Sequence, residues 1–170
     1  MIILGIGSNL KSSFGDKFNN IDLAISYLDV YGIKTIKMSS YYESESYPNK
    51  NDPKFINVIV SVETALPPID LMSVLIFVEE KLERKRLKKN EPRTCDIDII
   101  DYNQQIFNFT YNEEELIIPH TKLQFRNFVL YPLREIFPEW KHPRTNEKIK
   151  VLIEKLSIED RKSIYKVNNS

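Results

Sequence analysis

The sequence contains a single cysteine, Cys95, and this scarcity excludes disulfide frameworks and zinc sites built from several cysteines. One cysteine suits a reducing compartment, so we expect a cytoplasmic protein. Only four glycines are present, all in the first fifth of the chain, so later turns must use other residues. Basic and acidic residues both number 24, which leaves no net charge to draw the chain onto nucleic acid or a membrane.

Long hydrophobic runs are also absent. No stretch approaches the ~20 apolar residues that span a bilayer. The N-terminal MIILGIGSNL has a short apolar run with no basic residue before it, which makes a poor secretion signal. With 170 residues and 42% hydrophobic composition, we expect one folded domain over residues 1–170, monomeric, with about ten frayed residues at its end.

Hydrophobic spacing predicts a βαββαβ order followed by a C-terminal helical extension. Strands are predicted at 2–6, 33–42, 55–63 and 95–102, with a hairpin to 106–109. Helices are predicted after Asp16 and after Pro67, and again around 125–137 and 148–156. This order indicates an α+β fold with a ferredoxin-like, mainly antiparallel sheet and helices packed on one face.

Asp96 and Asp98 lie two residues apart in the apolar run CDIDIIDY. Side chains at this spacing leave one face of a strand roughly 6 to 7 Å apart. Two such carboxylates repel and raise each other's pKa unless a cation lies between them, and magnesium is the cation that accepts carboxylates together with water and phosphate oxygens. A solvated acidic face is the alternative.

A basic segment, KLERKRLKKNEPR, occupies residues 81–93 immediately before these aspartates. Basic side chains that neutralise phosphate oxygens, beside carboxylates that hold a metal, are what phosphoryl transfer requires. Alternatively, the basic residues complement the dipole of the preceding helix, which would explain Lys81 and Arg84 but not Arg93.

Other residues have simpler interpretations. His120 follows Pro119 at the end of an apolar run, where it either serves the structure or reaches a phosphate or a leaving group. His142 is predicted on a surface turn, and Cys95 in the core. Trp140 is predicted to pack the C-terminal segment onto the domain. Gly5 and Gly7, in GIGSNL, are predicted to permit a tight turn.

Taken together, GIGSNL, ERKRLKKNEPRTCDIDII and IIPHTKLQFRNFVLYPLREIFPEW resemble the 6-hydroxymethyl-7,8-dihydropterin pyrophosphokinase family. The resemblance spans nearly the whole chain in the family's order. It implies an ATP-dependent enzyme of folate biosynthesis that transfers pyrophosphate to the hydroxymethyl group of the pterin and releases AMP. Two magnesium ions would assist, and the partners would be small molecules.

The resemblance also implies roles for individual residues. The metal ligands would be Asp96 and Asp98, and the catalytic residues Arg84, Arg86 and Arg93. ATP would contact Glu79, Arg93, His120 and Arg126, and the pterin would contact Ser44, Phe55, Asn57 and Phe128.

One departure from the family pattern affects the segment before Pro92. The family usually has Trp-Gly where this chain has Asn90-Glu91. One alternative is therefore a catalytically weakened family member. The other is an α+β module that binds nucleic acid through the basic residues 81–93.

Overall fold

The computed structural model describes residues 1–47, 49–85, 91–111 and 114–169. The strands are β1 (Ile2–Ser8), β2 (Lys34–Met38), β3 (Tyr41–Ser44), β4 (Phe55–Glu63), β5 (Asp96–Tyr102), β6 (Phe107–Tyr111), β7 (Glu114–Ile118) and β8 (Ile164–Val167). The α-helices are α1 (Lys17–Val30), α2 (Pro68–Lys81), α3 (Asn127–Ile136), α4 (Ile149–Lys155) and α5 (Ile158–Lys162).

Six strands form one sheet in the order β5-β1-β4-β3-β8, with β2 paired to the other end of β4. Every ladder in it is antiparallel. The predicted α+β fold with a mainly antiparallel sheet is confirmed. The strand expected over 33–42 is divided into β2 and β3 at Ser39 and Ser40, because its register on β4 shifts between Met38, opposite Val60, and Tyr42, opposite Asn57. Strands β6 and β7 form a separate hairpin.

Helix α1 begins and ends where local sequence signals place it. The Asp16 carboxylate accepts hydrogen bonds from the backbone N–H groups of Phe18 and Asn19, and Asn19 Oδ1 accepts one from the Asp16 backbone N–H at 3.0 Å. Such reciprocal capping satisfies N–H groups that lack partners within the helix. Gly32, with φ of +75°, turns the chain out of the helix toward β2.

Helices cover both faces of the sheet, so the prediction of helices on one face was wrong. Leu4 and Val58 belong to the core that contains α1 and α2, whereas Ile3 and Ile59 belong to the core that contains α3 and α4. The physical reason is that β1 and β4 are apolar on both faces, and a strand of that kind must be covered on both sides.

The end of the chain is held by the sheet. Strand β8 pairs with β3 from Tyr41 opposite Val167 to Ser44 opposite Ile164. The expectation of fraying was therefore wrong for residues 164–167. Backbone pairing with an edge strand orders even a short polar segment, and burial of Ile164 adds to it.

The segment after α3 contains one further correction. His142 lies in a turn but is buried, packed edge-on against Trp140, and burial lowers its pKa. It is held inside because its Nδ1 accepts the Arg144 backbone N–H at 3.1 Å. Trp140 packs in the core with α3 and α4, as predicted, and donates to the Asp101 carboxylate at 2.7 Å. Cys95 is buried in the core, as predicted.

Within the described ranges, no helix combines the length and the apolar composition needed to cross a membrane.

Candidate active site

Strand β1 presents two glycines, Gly5 and Gly7, on the sheet face that also carries Ile3. Gly7 lies opposite Asn57 on β4 and opposite Asp96 on β5. A Cβ on Gly7 would lie 3.1 Å from Asn57 Oδ1. The prediction of a tight turn was wrong, since both glycines lie inside the strand. We call these two positions, which carry no side chains, the glycine strip. Ile59 and Ile100 lie against Gly5, and Asn57 and Phe55 lie beside Gly7.

Asp96 and Asp98 project from the same face of β5, as their spacing predicted. Asp96 is the register partner of Gly7, and Asp98 is the register partner of Gly5. Both carboxylates therefore flank the glycine strip. Their partners differ, and so do their pKa values.

The Asp96 carboxylate is paired with two guanidinium groups. Arg84 Nη1 lies 2.5 Å from Oδ1, and Arg93 Nη2 lies 2.8 Å from Oδ2. Burial alone would raise the pKa of Asp96, but the positive charges of Arg93 and Arg84 outweigh it and lower the pKa below its ordinary value. Asp96 is consequently ionised wherever the site operates.

Asp98 has weaker compensation. Among the described residues its nearest cation is Arg126, with Nη1 3.5 Å from Oδ2, and its side chain is 44% exposed. Burial and the neighbouring charge of Asp96 raise the pKa of Asp98 from 3.8 to about 6, against the opposing charge of Arg126. A carboxylate in this environment would gain from an additional cation.

Glu79, on α2, lies behind Arg84. It is 1% exposed, and its Oε1 accepts the Ile97 backbone N–H at 2.7 Å as well as a hydrogen bond from Arg84 Nη1. This carboxylate holds the guanidinium of Arg84 against β5. Its burial means that it reaches the site through Arg84.

His120 and Arg126 come together beyond Asp98. His120 Nε2 lies 3.2 Å from Arg126 Nη2, and its Nδ1 accepts the Lys122 backbone N–H at 3.0 Å. The guanidinium of Arg126 lies over the Phe128 ring, 5.6 Å from its centroid. Arg126 is thus held between an aromatic face, an imidazole and a carboxylate.

The other wall of the strip is formed by β3 and β4. Asn57 is buried, and its Nδ2 donates to Ser44 Oγ at 2.9 Å. The half-buried Phe55 ring lies under Arg93, with 5.2 Å between the ring centroid and Cζ. The structure therefore brings the residues predicted for the metal and the pterin to one side of the sheet, together with His120 and Arg126. Glu79 instead lies on α2, which packs on the other face.

Asn9, just after β1, is expected from the sequence to hydrogen-bond neighbouring backbone, but its backbone partners lie in distant segments, which the sequence reasoning missed. Its Oδ1 accepts the Arg93 backbone N–H at 2.7 Å, and its Nδ2 donates to the Pro53 carbonyl at 2.9 Å. Asn9 therefore ties the arginine-bearing segment to the loop after β3. The available signal was a polar residue directly after a glycine-containing strand. Of the predicted residues, Arg86 lies outside the described residues.

The comparisons with known proteins identify the family. A family model for 7,8-dihydro-6-hydroxymethylpterin-pyrophosphokinase (HPPK) matches residues 3–138. The chain belongs to the HPPK family. It is therefore a pyrophosphokinase of folate biosynthesis with a pterin substrate, in a family that uses ATP, as the resemblance implied.

Individual relatives agree with this membership. The chain is 37% identical to the 2-amino-4-hydroxy-6-hydroxymethyldihydropteridine pyrophosphokinase of Synechocystis sp., over 91% of this chain and 75% of that protein. It is 36% identical to the folic acid synthesis protein fol1 of Schizosaccharomyces pombe, over 90% of this chain but only 20% of that protein. The fold is also that of the crystal structure of wild-type Plasmodium falciparum HPPK-DHPS, with a TM-score of 0.70 and 18% identity over 91% of this chain and 40% of that one.

The glycine strip leads to a prediction for the pterin. Gly7→Ala should raise the pterin KM about tenfold, because the new methyl group would push against the Asn57 amide and the Phe55 ring, at 3.1 and 3.5 Å. Steady-state kinetics would measure this. Gly5→Ala should have a smaller effect on the pterin KM, since its methyl group would meet the end of the flexible Ile100 side chain. Equal effects of the two variants would contradict the assignment.

Proposed function

We propose that the chain transfers the terminal pyrophosphate of ATP directly to the hydroxymethyl oxygen of 6-hydroxymethyl-7,8-dihydropterin. That oxygen bonds to the β-phosphorus, the bond from this phosphorus to the α,β-bridging oxygen breaks, and AMP leaves with the bonding electrons. The hydroxyl proton passes to solvent. The observation that carries the proposal is that Asp96 and Asp98 share one sheet face, with arginine guanidinium groups within 3.5 Å of both carboxylates.

The carboxylates of Asp96 and Asp98 fit magnesium. In the part of the chain that the structure describes, no cluster of three or more acidic, histidine or cysteine residues suits a metal. A pair of carboxylates is nevertheless what magnesium uses when water and phosphate oxygens supply its other ligands. We propose that the pair holds two magnesium ions, which neutralise charge on the triphosphate and orient it.

Arg84 and Arg93 are proposed as catalytic residues, on the basis of their contacts with Asp96. Both guanidinium groups compensate the charge of that carboxylate. When Asp96 turns to a cation, both guanidinium groups become available to phosphate oxygens, which they bind in the same fork geometry as a carboxylate. Arg86 is proposed for the same role from its position in the sequence alone.

The ATP contacts are proposed at the Asp98 end of the site. Arg126 and His120 lie together there, and the Phe128 face restrains the guanidinium. Arg126 can therefore meet a phosphate without losing much conformational freedom. We propose that Glu79 contributes to nucleotide binding by holding Arg84.

The pterin contacts are proposed at the wall formed by β3 and β4, together with Phe128 of α3. A flat heterocycle gains from aromatic faces and from an amide that fixes its orientation. Phe55 and Phe128 offer the faces, and Asn57, held by Ser44, offers the amide. The glycine strip supplies the space between them.

The deciding experiment measures AMP release with ATP, the pterin alcohol and magnesium, each omitted in turn. We expect AMP only when all three are present, together with the pyrophosphorylated pterin in equal amount. AMP without the pterin would indicate hydrolysis, and transfer far slower than in a family enzyme assayed alongside would favour the catalytically weakened alternative.

The nucleic-acid alternative is tested by titration with single-stranded RNA at low and moderate salt. Arg84 and Arg93 have side-chain exposures of 11% and 22% and face Asp96, which leaves them poorly placed for a phosphate backbone. We therefore expect weak binding, whereas tight binding with a steep salt dependence would support that alternative. We further propose that the enzyme acts as a cytoplasmic monomer.

A further inference from the structure

The last two elements of the chain extend the sheet beside the residues proposed for the pterin. We call residues 157–167, which comprise α5 and β8, the C-terminal clasp. Strand β8 pairs with the whole of β3, with Ile164 opposite Ser44 and Tyr165 opposite Glu43. Because β3 ends at Ser44, the clasp holds the strand end from which the next loop departs.

The clasp is tied to α3 by the side chain of Asn127. This side chain belongs to a residue that is 9% exposed, and its Nδ2 donates to the Asp160 carbonyl at 2.7 Å and to Ser163 Oγ at 3.0 Å. Both acceptors lie at the junction between α5 and β8. A buried amide that places both of its protons in hydrogen bonds fixes such a junction, and the loss of either partner leaves polar atoms unsatisfied.

Besides the burial of Ile164, the clasp has further polar side-chain contacts in the described residues, and these lie in solvent. Glu159 pairs with Lys50, but these side chains are 74% and 59% exposed. The Tyr131 hydroxyl donates to the Arg161 carbonyl at 3.4 Å, also at an exposed position. Exposed contacts of this kind contribute little. Asn127 is therefore the polar side chain that contributes most to the position of the clasp.

The position of the clasp on the sheet affects the site through β3. Ser44 is 2% exposed, and its Oγ accepts the hydrogen bond from Asn57 Nδ2 at 2.9 Å. Asn57 in turn lies opposite Gly7, at the glycine strip. If β3 shifts or loosens, the hydroxyl moves and the Asn57 amide loses its fixed orientation.

We propose that Asn127 is a positioning residue for the pterin: it seats the C-terminal clasp on β3 and thereby fixes Ser44 and the Asn57 amide. This rests on the proposed function, in which Ser44 and Asn57 contact the pterin. We expect the contribution to fall on the pterin, because Arg84, Arg93 and Asp98 belong to β5 and the segment before it, on the other side of the glycine strip. Arg126, the neighbour of Asn127, is held separately by the Phe128 ring and by His120.

Kinetics of Asn127→Ala, Asn127→Asp and the matched control Asn108→Ala test the proposal. Asn108 donates to Glu115 at an exposed position of the β6–β7 hairpin and does not touch the clasp. We expect Asn127→Ala to raise the pterin KM about fivefold while the ATP KM and kcat stay within about twofold. Asn127→Asp should raise the pterin KM similarly, since a carboxylate has the shape of the amide but cannot donate a hydrogen bond. A wild-type pterin KM in Asn127→Asp would overturn the proposal. Equal increases in the pterin KM and the ATP KM of Asn127→Ala would also overturn it.

Hydrogen exchange of the free protein gives a readout that does not need activity. Asn127→Ala should speed backbone exchange at residues 41–46 and 164–167, with β5 and α1 unchanged, and Asn108→Ala should speed neither. Unchanged exchange in the first two segments would overturn the proposal even if the protein is active. Absence of transfer by the wild type would instead overturn the proposed function, and the exchange data would still decide whether Asn127 holds β3.

Discussion

Asp98→Asn should reduce pyrophosphate transfer on the order of 1000-fold, with the fold retained. The substitution preserves shape but removes one of the two negative charges proposed to hold magnesium at the triphosphate. A 1000-fold decrease in rate corresponds to the loss of about 4 kcal/mol of charge stabilisation in the transition state. Transfer assays across a magnesium titration would measure it, and excess magnesium should not restore the rate.

The same substitution should stabilise the metal-free protein above about pH 6. Burial and the charge of Asp96 raise the pKa of Asp98 from 3.8 to about 6, so the folded protein retains a proton that the unfolded chain has released. Stability of the wild type therefore falls as pH rises from about 4 to about 6, and the loss persists at higher pH. A fully buried group would contribute about 3 kcal/mol. Because Asp98 is 44% exposed, we expect a gain of about 1 kcal/mol after solvent screening.

Urea unfolding with and without magnesium separates these effects. At about pH 7.5 without metal, Asp98→Asn should be more stable than the wild type, and near pH 4 the difference should vanish. Magnesium should stabilise the wild type but not the variant. Asp29→Asn, an exposed change on α1, is the matched control and should retain both activity and the response to magnesium. Unimpaired transfer by Asp98→Asn would contradict the metal assignment.

The aspartate pair could be predicted from the sequence because its geometry is local. Alternation along a strand places Asp96 and Asp98 on one face whatever the partner strands are. The same holds for the Asp16 cap and for the apolar stripes of α1 and α2. Each of these features depends on residues within a few positions of one another, and each is found where it was expected.

The remainder of the site depends on pairing across long stretches of chain, which local patterns do not encode. The glycine strip can be recognised only when the sheet register is known, because that register places Gly7 between Asn57 and Asp96. The burial of Glu79 beneath Arg84, and the link from Asn9 to Arg93, likewise require strands and helices distant in sequence. Such contacts emerge from the register of the sheet.

Polar residues near the C-terminus illustrate the same limit. Composition favoured a surface position for His142 and a frayed end for residues 164–167. Two backbone donors to the His142 ring and the free edge of β3 reversed both expectations. A polar segment becomes ordered when another part of the chain supplies hydrogen-bond partners, and its own sequence does not show that.

Arg84→Ala should lower kcat by about 100-fold or more while both KM values change about threefold at most. Arg84 pairs with Asp96 and Glu79. Under the proposed function, its charge becomes available to phosphate oxygens when Asp96 binds another cation. A charge recruited in this way stabilises the transferring group more than the bound substrates. Steady-state kinetics with each substrate varied in turn would measure the separate effects on kcat and on the two KM values. Lys85→Ala, which removes an exposed charge from the adjacent position, is the control and should leave kcat within about threefold.

Stability must be separated from catalysis in this variant. Removing Arg84 weakens the compensation of the buried Glu79 carboxylate, which should cost roughly 2 kcal/mol in unfolding free energy. Adding Glu79→Gln removes that charge and preserves the amide oxygen as an acceptor for the Ile97 backbone N–H. The double variant should therefore recover most of the stability in urea unfolding and none of the lost turnover. If turnover returned with stability, Arg84 would serve the fold alone, and its catalytic assignment would be wrong.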